Sequence, residues 1–262
     1  MTSAASERPV VIVTGASSGI GAATAERLSA DHQVVACARR KSALDSLAAR
    51  TGCVPFQLDV TDTAASEAFV AEVVQRFGRL DALVLNAGVV IPSAIRELEL
   101  DVWQQQIAVN LTAPYVMTKA ALPHLLQSRG AIVAVSSIAA TQTGPGLAAY
   151  ATAKAGLSQF IRSLAYEHAR DGLRANVIAP GWIRTEMADE EMRMLPLGDD
   201  LDAAYAKVSE YVPQRRAGTA MEAAEAIAFL LSPAASFINA AVVPVDGGCT
   251  AANVALTYFD SL

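Results

Sequence analysis

The chain has 262 residues, of which 53% are hydrophobic and 18% charged, and this allows one large α/β domain or two small ones with a substantial core. A formal net charge of −6 argues against a nucleic-acid surface, since phosphate binding needs clustered Lys and Arg, and three scattered histidines disfavour a metal site. The chain has three cysteines, an odd count that fits reduced thiols. Its start shows no signal-peptide pattern, and no apolar run approaches ~18 residues. These features favour a cytoplasmic protein without membrane contact.

Short apolar strands alternate with helices along the whole chain. Strands of this kind are typical of a parallel sheet covered by helices on both faces. No linker interrupts the pattern, so residues 1–262 are predicted to form a single Rossmann-like domain: a doubly wound, seven-stranded parallel α/β sheet. The predicted strands are Val10–Val13, Gln33–Ala38, Val54–Leu58, Ala82–Leu85, Ala131–Val135, Arg174–Ile178 and Ala241–Val245, and the helices are Ala22–Leu28, Ser42–Arg50, Thr61–Phe77, Val102–Leu126, Leu147–Ala169 and Met221–Leu231.

Two segments depart from this alternation. Residues 182–219 are rich in acids and prolines and contain Met187, Met192 and Met194. Adaptable methionines suit an apolar ligand, so we predict a substrate lid here, with a plain surface helix pair as the alternative. The tail, residues 250–262, is expected to cover either a neighbouring chain or its own pocket.

A glycine-rich loop joins the first strand to the first helix. Gly15, Gly19 and Gly21 follow Thr14 with the spacing G-x-x-x-G-x-G. Glycines let the backbone approach a pyrophosphate, and the helix start offers free N–H groups and a positive dipole end. The loop therefore predicts a dinucleotide site, with a tight turn that binds nothing as the alternative.

The same loop also fits the G-x-S-x-G elbow of serine hydrolases, with Ser17 as the nucleophile. That mechanism needs an acid and then a histidine later in the chain. His32, His124 and His168 all precede the last strands, which makes this hypothesis weak.

Tyr150 and Lys154 are four residues apart on a predicted helix, so they share one face. A cation beside a phenol favours the phenolate, which would let the tyrosine transfer protons near neutral pH. An ordinary surface pair is the alternative for this motif taken alone.

Six ordered motifs together resemble the short-chain dehydrogenase/reductase family over residues 9–249. The resemblance implies an NAD(P)-dependent oxidoreductase that interconverts a ketone and a secondary alcohol by hydride transfer. The motifs are Thr14-Gly15-x-x-x-Gly19-x-Gly21, Asn86-Ala87-Gly88, Asn110, Ser137, Tyr150-x-x-x-Lys154 and Pro180-Gly181-x-x-x-Thr185.

The resemblance also implies catalytic roles. Tyr150 would protonate the developing alkoxide, and Ser137 would orient the carbonyl oxygen. Lys154 would hold the nicotinamide ribose and, with the oxidised cofactor ring, lower the Tyr150 pKa. Asn110 would position a water beside the lysine. Ser136 rivals Ser137, and only the family spacing of 150 − 137 = 13 residues favours the latter.

Cofactor preference is predicted from the end of the second strand. An acid there would bind the ribose diol, but the chain has Arg39 and Arg40 followed by Lys41. The resemblance thus implies NADP(H), with Arg39 as the leading phosphate contact. NAD(H) stays possible, because Ser18 stands where one family pattern has a second basic residue. A solvated basic start to the next helix is the alternative.

Further cofactor contacts follow from the resemblance alone. Asp59 would bind the adenine amino group or else begin a helix, and Asn86 would line the cofactor site or tie neighbouring strands. Thr185 and the Ile183 backbone would fix the carboxamide. The other implied contacts are Ser17, Ser18, Ile20, Val60, Ala87, Gly88, Pro180 and Gly181.

The substrate is predicted to be mainly apolar and NADPH-dependent carbonyl reduction to be the reaction. An NAD-dependent alcohol dehydrogenase and a non-catalytic cofactor-binding regulator remain alternatives. Small residues on the Leu147–Ala169 helix permit close helix approach, and the resemblance implies that this helix forms the interface of a homo-oligomer, a dimer or tetramer, with ordinary internal packing as the alternative. The expected substrate walls are Val89, Val90, Ser137, Ile138, Leu147, Trp182 and Met187.

Overall fold

A parallel sheet with helices on both faces carries the fold. The computed structural model describes residues 8–197 and 199–252, so most of the predicted tail lies outside the described residues. In chain order the elements are β1 (Val10–Thr14), α1 (Gly19–Leu28), β2 (Gln33–Ala38), α2 (Lys41–Thr51), β3 (Val54–Gln57), α3 (Thr63–Phe77), β4 (Ala82–Leu85), α4 (Leu100–Ile107), α5 (Ala113–Ser128), β5 (Ala131–Val135), α6 (Ala148–His168), β6 (Arg174–Pro180), β7 (Ile183–Arg184), α7 (Glu186–Met192), α8 (Leu201–Val208), β8 (Gly218–Thr219), α9 (Ala220–Leu231) and β9 (Val242–Val245).

Seven strands form the main sheet in the order β3-β2-β1-β4-β5-β6-β9, and every neighbouring pair is parallel. This confirms the predicted doubly wound sheet. The strand order reverses between β1 and β4, because β1 continues to β2 on one side while β4 and β5 extend the sheet on the other. In such sheets ligands bind at this switch point, outside the carboxyl ends of the strands.

Two hydrophobic cores cover the two faces of the sheet. One packs the α3, α5 and α6 side chains, among them Phe69, Met117 and Leu157, against the strands. The other packs α1, α2 and α9, with Leu28 and Ile227 fully buried. Burial on both faces explains why the strands are continuously apolar rather than alternating.

The long helix predicted over Val102–Leu126 is interrupted. It consists of α4, a π-helical turn at Ala108–Thr112, and α5. Pro114 lies in the first turn of α5, where its missing N–H costs least, and Pro123 lies inside α5. An extra residue in the π-helical turn directly before Pro114 separates the two α-helices, so the chain departs here from the single helix predicted.

The segment of residues 182–219, here called the α7–α8 segment, is ordered around two short helices. Strand β7 pairs in parallel with β8, which closes the segment at its base. Met192, Tyr205 and Ala204 are buried in a small core of its own, separate from the two sheet cores. Within the described ranges, no helix combines the length and apolar character needed to cross a bilayer.

Candidate active site

A cleft of about 680 Å³ opens at the carboxyl ends of the central strands. The structure brings nearly all of the sequence-predicted residues to its walls, although they come from seven separate parts of the chain. Gly21 and Asn110 do not line it. The predicted residues that line it are Gly15, Ser17, Ser18, Gly19, Ile20, Arg39, Arg40, Asp59, Val60, Asn86, Ala87, Gly88, Val89, Val90, Ser137, Ile138, Leu147, Tyr150, Lys154, Pro180, Gly181, Trp182, Ile183, Thr185 and Met187.

The glycine loop has the backbone shape of an anion cradle. Gly15 has a φ of +66°, and a Cβ there would lie 2.8 Å from Ala87 Cα. A Cβ on Gly21 would lie 2.4 Å from the carbonyl oxygen of Gly15, so this glycine packs the helix against the loop. Helix α1 begins at Gly19, and the Ser18 side chain makes no capping hydrogen bond to it within the described chain. Its first N–H groups thus remain available to a pyrophosphate, and the residues present fit a dinucleotide.

The two serines after β5 face different surroundings. Ser136 is buried, and its hydroxyl is hydrogen-bonded to the Lys154 carbonyl at 3.0 Å and to Ser158 Oγ at 2.8 Å. Ser137 Oγ accepts a hydrogen bond from Ala139 N and is also hydrogen-bonded to Tyr150. Because Ser136 is engaged with α6, the geometry favours Ser137 as the serine that meets a substrate.

Tyr150 and Lys154 lie on one face of α6, as their spacing predicts. Lys154 is 3% exposed, and its ammonium donates to the Val135 carbonyl at 2.9 Å. It stands 5.7 Å from the centre of the Tyr150 ring. Burial lowers the pKa of Lys154 to about 8.

The Tyr150 pKa departs from the predicted direction in the protein alone. Burial raises it to about 12; the hydrogen bond with Ser137 lowers it and the charge of Glu191 raises it further. Desolvation of the phenolate therefore outweighs the stabilising hydrogen bond with Ser137. A lowered Tyr150 pKa remains a prediction for the complex with the oxidised cofactor.

Asn110 sits in the π-helical turn and is completely buried. Its side chain accepts from Val89 N at 3.1 Å and donates to Val89 O at 2.8 Å and to Gln106 O at 2.9 Å. A Cβ on Gly88 would lie 3.0 Å from Asn110 Oδ1 and 3.3 Å from Lys154 Nζ, so the asparagine and lysine flank the same glycine. The π turn itself had no recognisable signal in the sequence.

Arg40, rather than Arg39, crosses the mouth of the glycine loop. Its guanidinium donates to Ser18 Oγ at 2.6 Å and Ser17 Oγ at 3.2 Å, and pairs with Glu186 of α7 at 2.7 Å. The same contacts hold the pKa of Glu186 below its ordinary value. Arg39 is exposed on the cleft wall.

Asp59 and Asn86 each had two predicted roles. Asp62, not Asp59, begins α3 by accepting from Ala65 N, while Asp59 accepts from the backbone and hydroxyl of Thr61 and remains exposed in the cleft. Those hydrogen bonds lower the Asp59 pKa. Asn86 ties β4 to β1, because its amide donates to the carbonyls of residues 14 and 15 at 2.9 and 3.2 Å.

Thr185 ends the segment that follows β6 and begins α7. Its hydroxyl accepts from Ala188 N at 3.3 Å, and a Cβ on Gly19 would lie 3.1 Å from its methyl group. The start of α7 is therefore packed directly against the glycine loop.

Several polar wall residues were not identified from the sequence. They belong to exposed helix faces and loops that carry no motif, although α7 follows directly after the Pro180–Thr185 segment and was placed within the predicted lid. They are Gln105, Gln142, Thr143, Glu186, Glu190 and Glu191.

The serine hydrolase hypothesis lacks a base. In the described structure Ser17 accepts from Arg40, and no histidine lines the cleft. His32 is hydrogen-bonded to Asp31 and His168 to Asp171. A nucleophilic Ser17 would have no nearby imidazole to take its proton.

The small residues of α6 are partly explained by packing inside the chain. Ala149 and Ala153 are buried against the protein's own core, and a Cβ on Gly156 would lie 3.0 Å from Leu111. These residues by themselves do not require a partner subunit.

Comparisons with known proteins agree on one family. Residues 15–250 match the family model described as Enoyl-(Acyl carrier protein) reductase. The chain is 35% identical over 254 residues to meso-2,3-butanediol dehydrogenase of Serratia marcescens, covering 94% of this chain and 96% of that protein. It is 36% identical over 246 residues to the 3-oxoacyl-acyl-carrier-protein reductase of Salmonella typhimurium, covering 92% and 97%. A solved actinorhodin polyketide ketoreductase with NADPH superimposes with a TM-score of 0.88 at 32% identity, covering 94% of this chain and 99% of the other.

Proposed function

The chain belongs to the short-chain dehydrogenase/reductase family, and on that premise we propose that it reduces a ketone to a secondary alcohol with NADPH. The reaction class, NAD(P)-dependent interconversion of C=O and CH–OH groups, is common to its relatives. The observation that carries the proposal is the convergence of Ser137, Tyr150 and Lys154 on the cleft that also contains the glycine loop.

The chain's own residues account for the proton chemistry. The cofactor, when bound, supplies the hydride. Ser137 would hydrogen-bond the carbonyl oxygen and hold it beside the Tyr150 hydroxyl. Tyr150 would give its proton to the oxygen as negative charge develops there, and a high Tyr150 pKa keeps that proton in place beforehand. Lys154, buried next to Asn110, would hold the ribose hydroxyls and return a proton towards the tyrosine.

The remaining dinucleotide contacts are proposed on position. Gly15, Gly19 and the start of α1 would hold the pyrophosphate, with Gly21 allowing the loop to pack. Asp59 would face the adenine, and Thr185 with Ile183 the carboxamide end. The other proposed contacts are Ser17, Ser18, Ile20, Val60, Asn86, Ala87, Gly88, Pro180 and Gly181.

Preference for NADP(H) is proposed from the two arginines after β2. Arg39 would meet the 2′-phosphate, and Arg40 would support it across the loop. The test measures binding of NADPH and of NADH to the Arg39→Ala and Arg40→Ala variants, with nicotinamide fluorescence as the readout. We expect the NADPH preference to fall about tenfold or more in at least one variant, since charge-assisted hydrogen bonds contribute roughly 1.5–3 kcal/mol. A chain that binds both cofactors equally and is insensitive to both changes would be an NAD(H) enzyme.

The substrate lid, the oligomeric state and the cellular location also remain proposals. The α7–α8 segment would act as a substrate lid on a single domain, because Met187 and Trp182 line the cleft. A homo-oligomer, a dimer or tetramer, is proposed because the family resemblance implies one, and light scattering after gel filtration tests it. Cytoplasmic location stays a prediction from composition.

The reaction is tested with a panel of ketones and secondary alcohols, with absorbance of the reduced nicotinamide as the readout and each cofactor in turn. We expect ketone reduction with NADPH, and Tyr150→Phe should lower kcat by about 10²–10⁴-fold while NADPH binding persists. A fully active Tyr150→Phe would contradict the mechanism. An inert wild type that binds NADPH would indicate the non-catalytic regulator.

A further inference from the structure

Glu191 lies on α7 in the wall of the catalytic cleft. Met187 is four residues earlier and lines the same cleft, so both side chains project from one face of the helix. Glu191 is half-buried, whereas Met187 and Glu190 are exposed. A half-buried carboxylate thus stands beside Met187, one of the predicted apolar substrate walls.

The other acids on α7 that face the fold have partners, and Glu191 does not. Glu186 pairs with Arg40 at 2.7 Å, and Asp189 accepts from the Tyr205 hydroxyl at 2.8 Å. Among the described residues, none donates a hydrogen bond to the Glu191 carboxylate or forms an ion pair with it. Burial of the unpaired group raises its pKa, which is the mark of an uncompensated desolvation cost.

The charge of Glu191 also reaches the reaction centre. It raises the Tyr150 pKa and therefore opposes the growth of negative charge on the phenol oxygen. A substrate group that donates a hydrogen bond to Glu191 would satisfy the carboxylate and screen this charge at the same time. With a ketone that lacks such a group, the Glu191 carboxylate would stay without a donor, and its charge would still oppose the growth of negative charge on Tyr150.

Resting on the proposed ketone reduction, we propose that Glu191 is a specificity-determining residue that accepts a hydrogen bond from a hydroxyl or ammonium group carried by a mainly apolar ketone. The same substrate molecule carries the donor and the carbonyl, because Glu191 and Tyr150 line one cleft and the charge of Glu191 acts on Tyr150. Both a hydroxyl and an ammonium group can donate a hydrogen bond to a carboxylate. The experiment below distinguishes the two groups with a separate pair of ketones for each.

The test compares kcat/KM within two size-matched pairs. Acetoin against methyl isopropyl ketone reports the hydroxyl, and aminoacetone against butanone reports the ammonium. For each pair, the ratio is kcat/KM for the ketone with the donor group over kcat/KM for the ketone without it. The ratio for each variant is divided by the wild-type ratio, so that the intrinsic reactivity of each ketone cancels. Glu191→Gln removes the charge but keeps an acceptor oxygen, and Glu191→Leu removes both.

We expect Glu191→Leu to lower the ratio for at least one pair about tenfold or more, as the loss of a hydrogen bond to a charged group implies. If the group is an ammonium, Glu191→Gln lowers the aminoacetone ratio equally; if it is a hydroxyl, Glu191→Gln keeps most of the acetoin ratio. Asp199→Asn and Asp199→Leu are the matched controls, which alter an exposed acid of the α7–α8 segment outside the cleft and should keep both ratios.

Unchanged ratios in both Glu191 variants would overturn the inference, and so would an equal fall in the Asp199 variants, since that would be a general field effect. Retained NADPH binding shows that each variant is folded. A wild type that reduces none of the four ketones, nor oxidises the corresponding alcohols, would instead refute the proposed function.

Discussion

The floor of the cleft, formed by β5 and α6, and the α7–α8 segment that borders it keep their shapes by different interactions. The floor is joined by buried hydrogen bonds, from Ser136 to the Lys154 carbonyl and from Lys154 to the Val135 carbonyl. The α7–α8 segment has only a small separate core, and the side-chain contacts around it include exposed ion pairs, among them Arg184 with Asp202.

This contrast separates two functions. Buried hydrogen bonds are costly to leave unmade, so the floor can hold the proton-transfer groups in a fixed arrangement. Exposed ion pairs contribute little and are screened by salt, so the α7–α8 segment can shift at low cost. We expect changes in the floor to affect stability and turnover, and changes in the segment to affect local opening and substrate choice.

The largest expected effect on stability is at Asn110, in the π-helical turn next to Lys154. Asn110→Leu removes its bonds to Val89 and Gln106 and leaves the Val89 N–H without its partner, which should lower the free energy of unfolding by about 2–4 kcal/mol. Urea unfolding measures this. Gln104→Leu, an exposed change on the same helical stretch, is the control and should cost less than about 0.5 kcal/mol. Similar costs for the two variants would contradict the assigned role.

Lys154→Met should abolish turnover and change how stability depends on pH, because the variant loses both the buried ammonium and its hydrogen bond to the Val135 carbonyl. Because burial lowers the Lys154 pKa from 10.5 to about 8, the unfolded chain binds more protons between those values. The free energy of unfolding of the wild type therefore rises with pH in that window relative to the variant. The cost of the ammonium is fully present below about pH 8.

Urea unfolding of both proteins at several pH values measures this difference. Tyr150 is present in both, so its raised pKa cancels in the comparison. A stability difference that stays constant from about pH 7 to about pH 10 would show that the lysine is not destabilised by burial.

Tyr205→Phe tests a partly buried hydrogen bond between two side chains of the α7–α8 segment. The variant loses the bond from the hydroxyl to Asp189 at 2.8 Å, worth about 1 kcal/mol, so amide exchange in α7 and α8 should accelerate roughly five- to tenfold. Amides of the main sheet should exchange as before. Tyr211→Phe, at a half-exposed tyrosine, is the matched control. Equal acceleration in the sheet would mean that the segment does not open independently.

The smallest effect is expected at the exposed pair of Arg184 and Asp202, which are 2.7 Å apart. Asp202→Asn should leave the midpoint of thermal unfolding nearly unchanged, and any difference should vanish in high salt. A marked fall in the midpoint that persists in salt would show that the segment depends on its ion pairs more strongly than this comparison implies.

Much of the fold was predictable because strands and helices leave local patterns of apolar residues in the sequence. Continuous apolar strands alternating with helices predicted the seven-stranded parallel sheet, and strand bounds were correct to within a residue or two. The interruption before Pro114 was missed, since a π turn differs from an α-helix by one residue and leaves no distinct periodicity.

The sequence by itself determined which chemical groups this protein carries and which of them share a helix face. The spacing of Tyr150 and Lys154 sufficed to place them together, because both follow the period of one helix. The glycine loop was likewise predictable from its strand and helix neighbours.

Only the tertiary structure decided contacts between residues distant in the chain. Adjacent serines in extended backbone point to opposite sides, so the choice of Ser137 over Ser136 depended on how α6 packs against β5. Arg40 meets Glu186, and the charge of Glu191 acts on Tyr150, because the sheet brings separate strand ends to one edge. Local patterns carry no information on such pairings, whose energies arise only after the chain has folded.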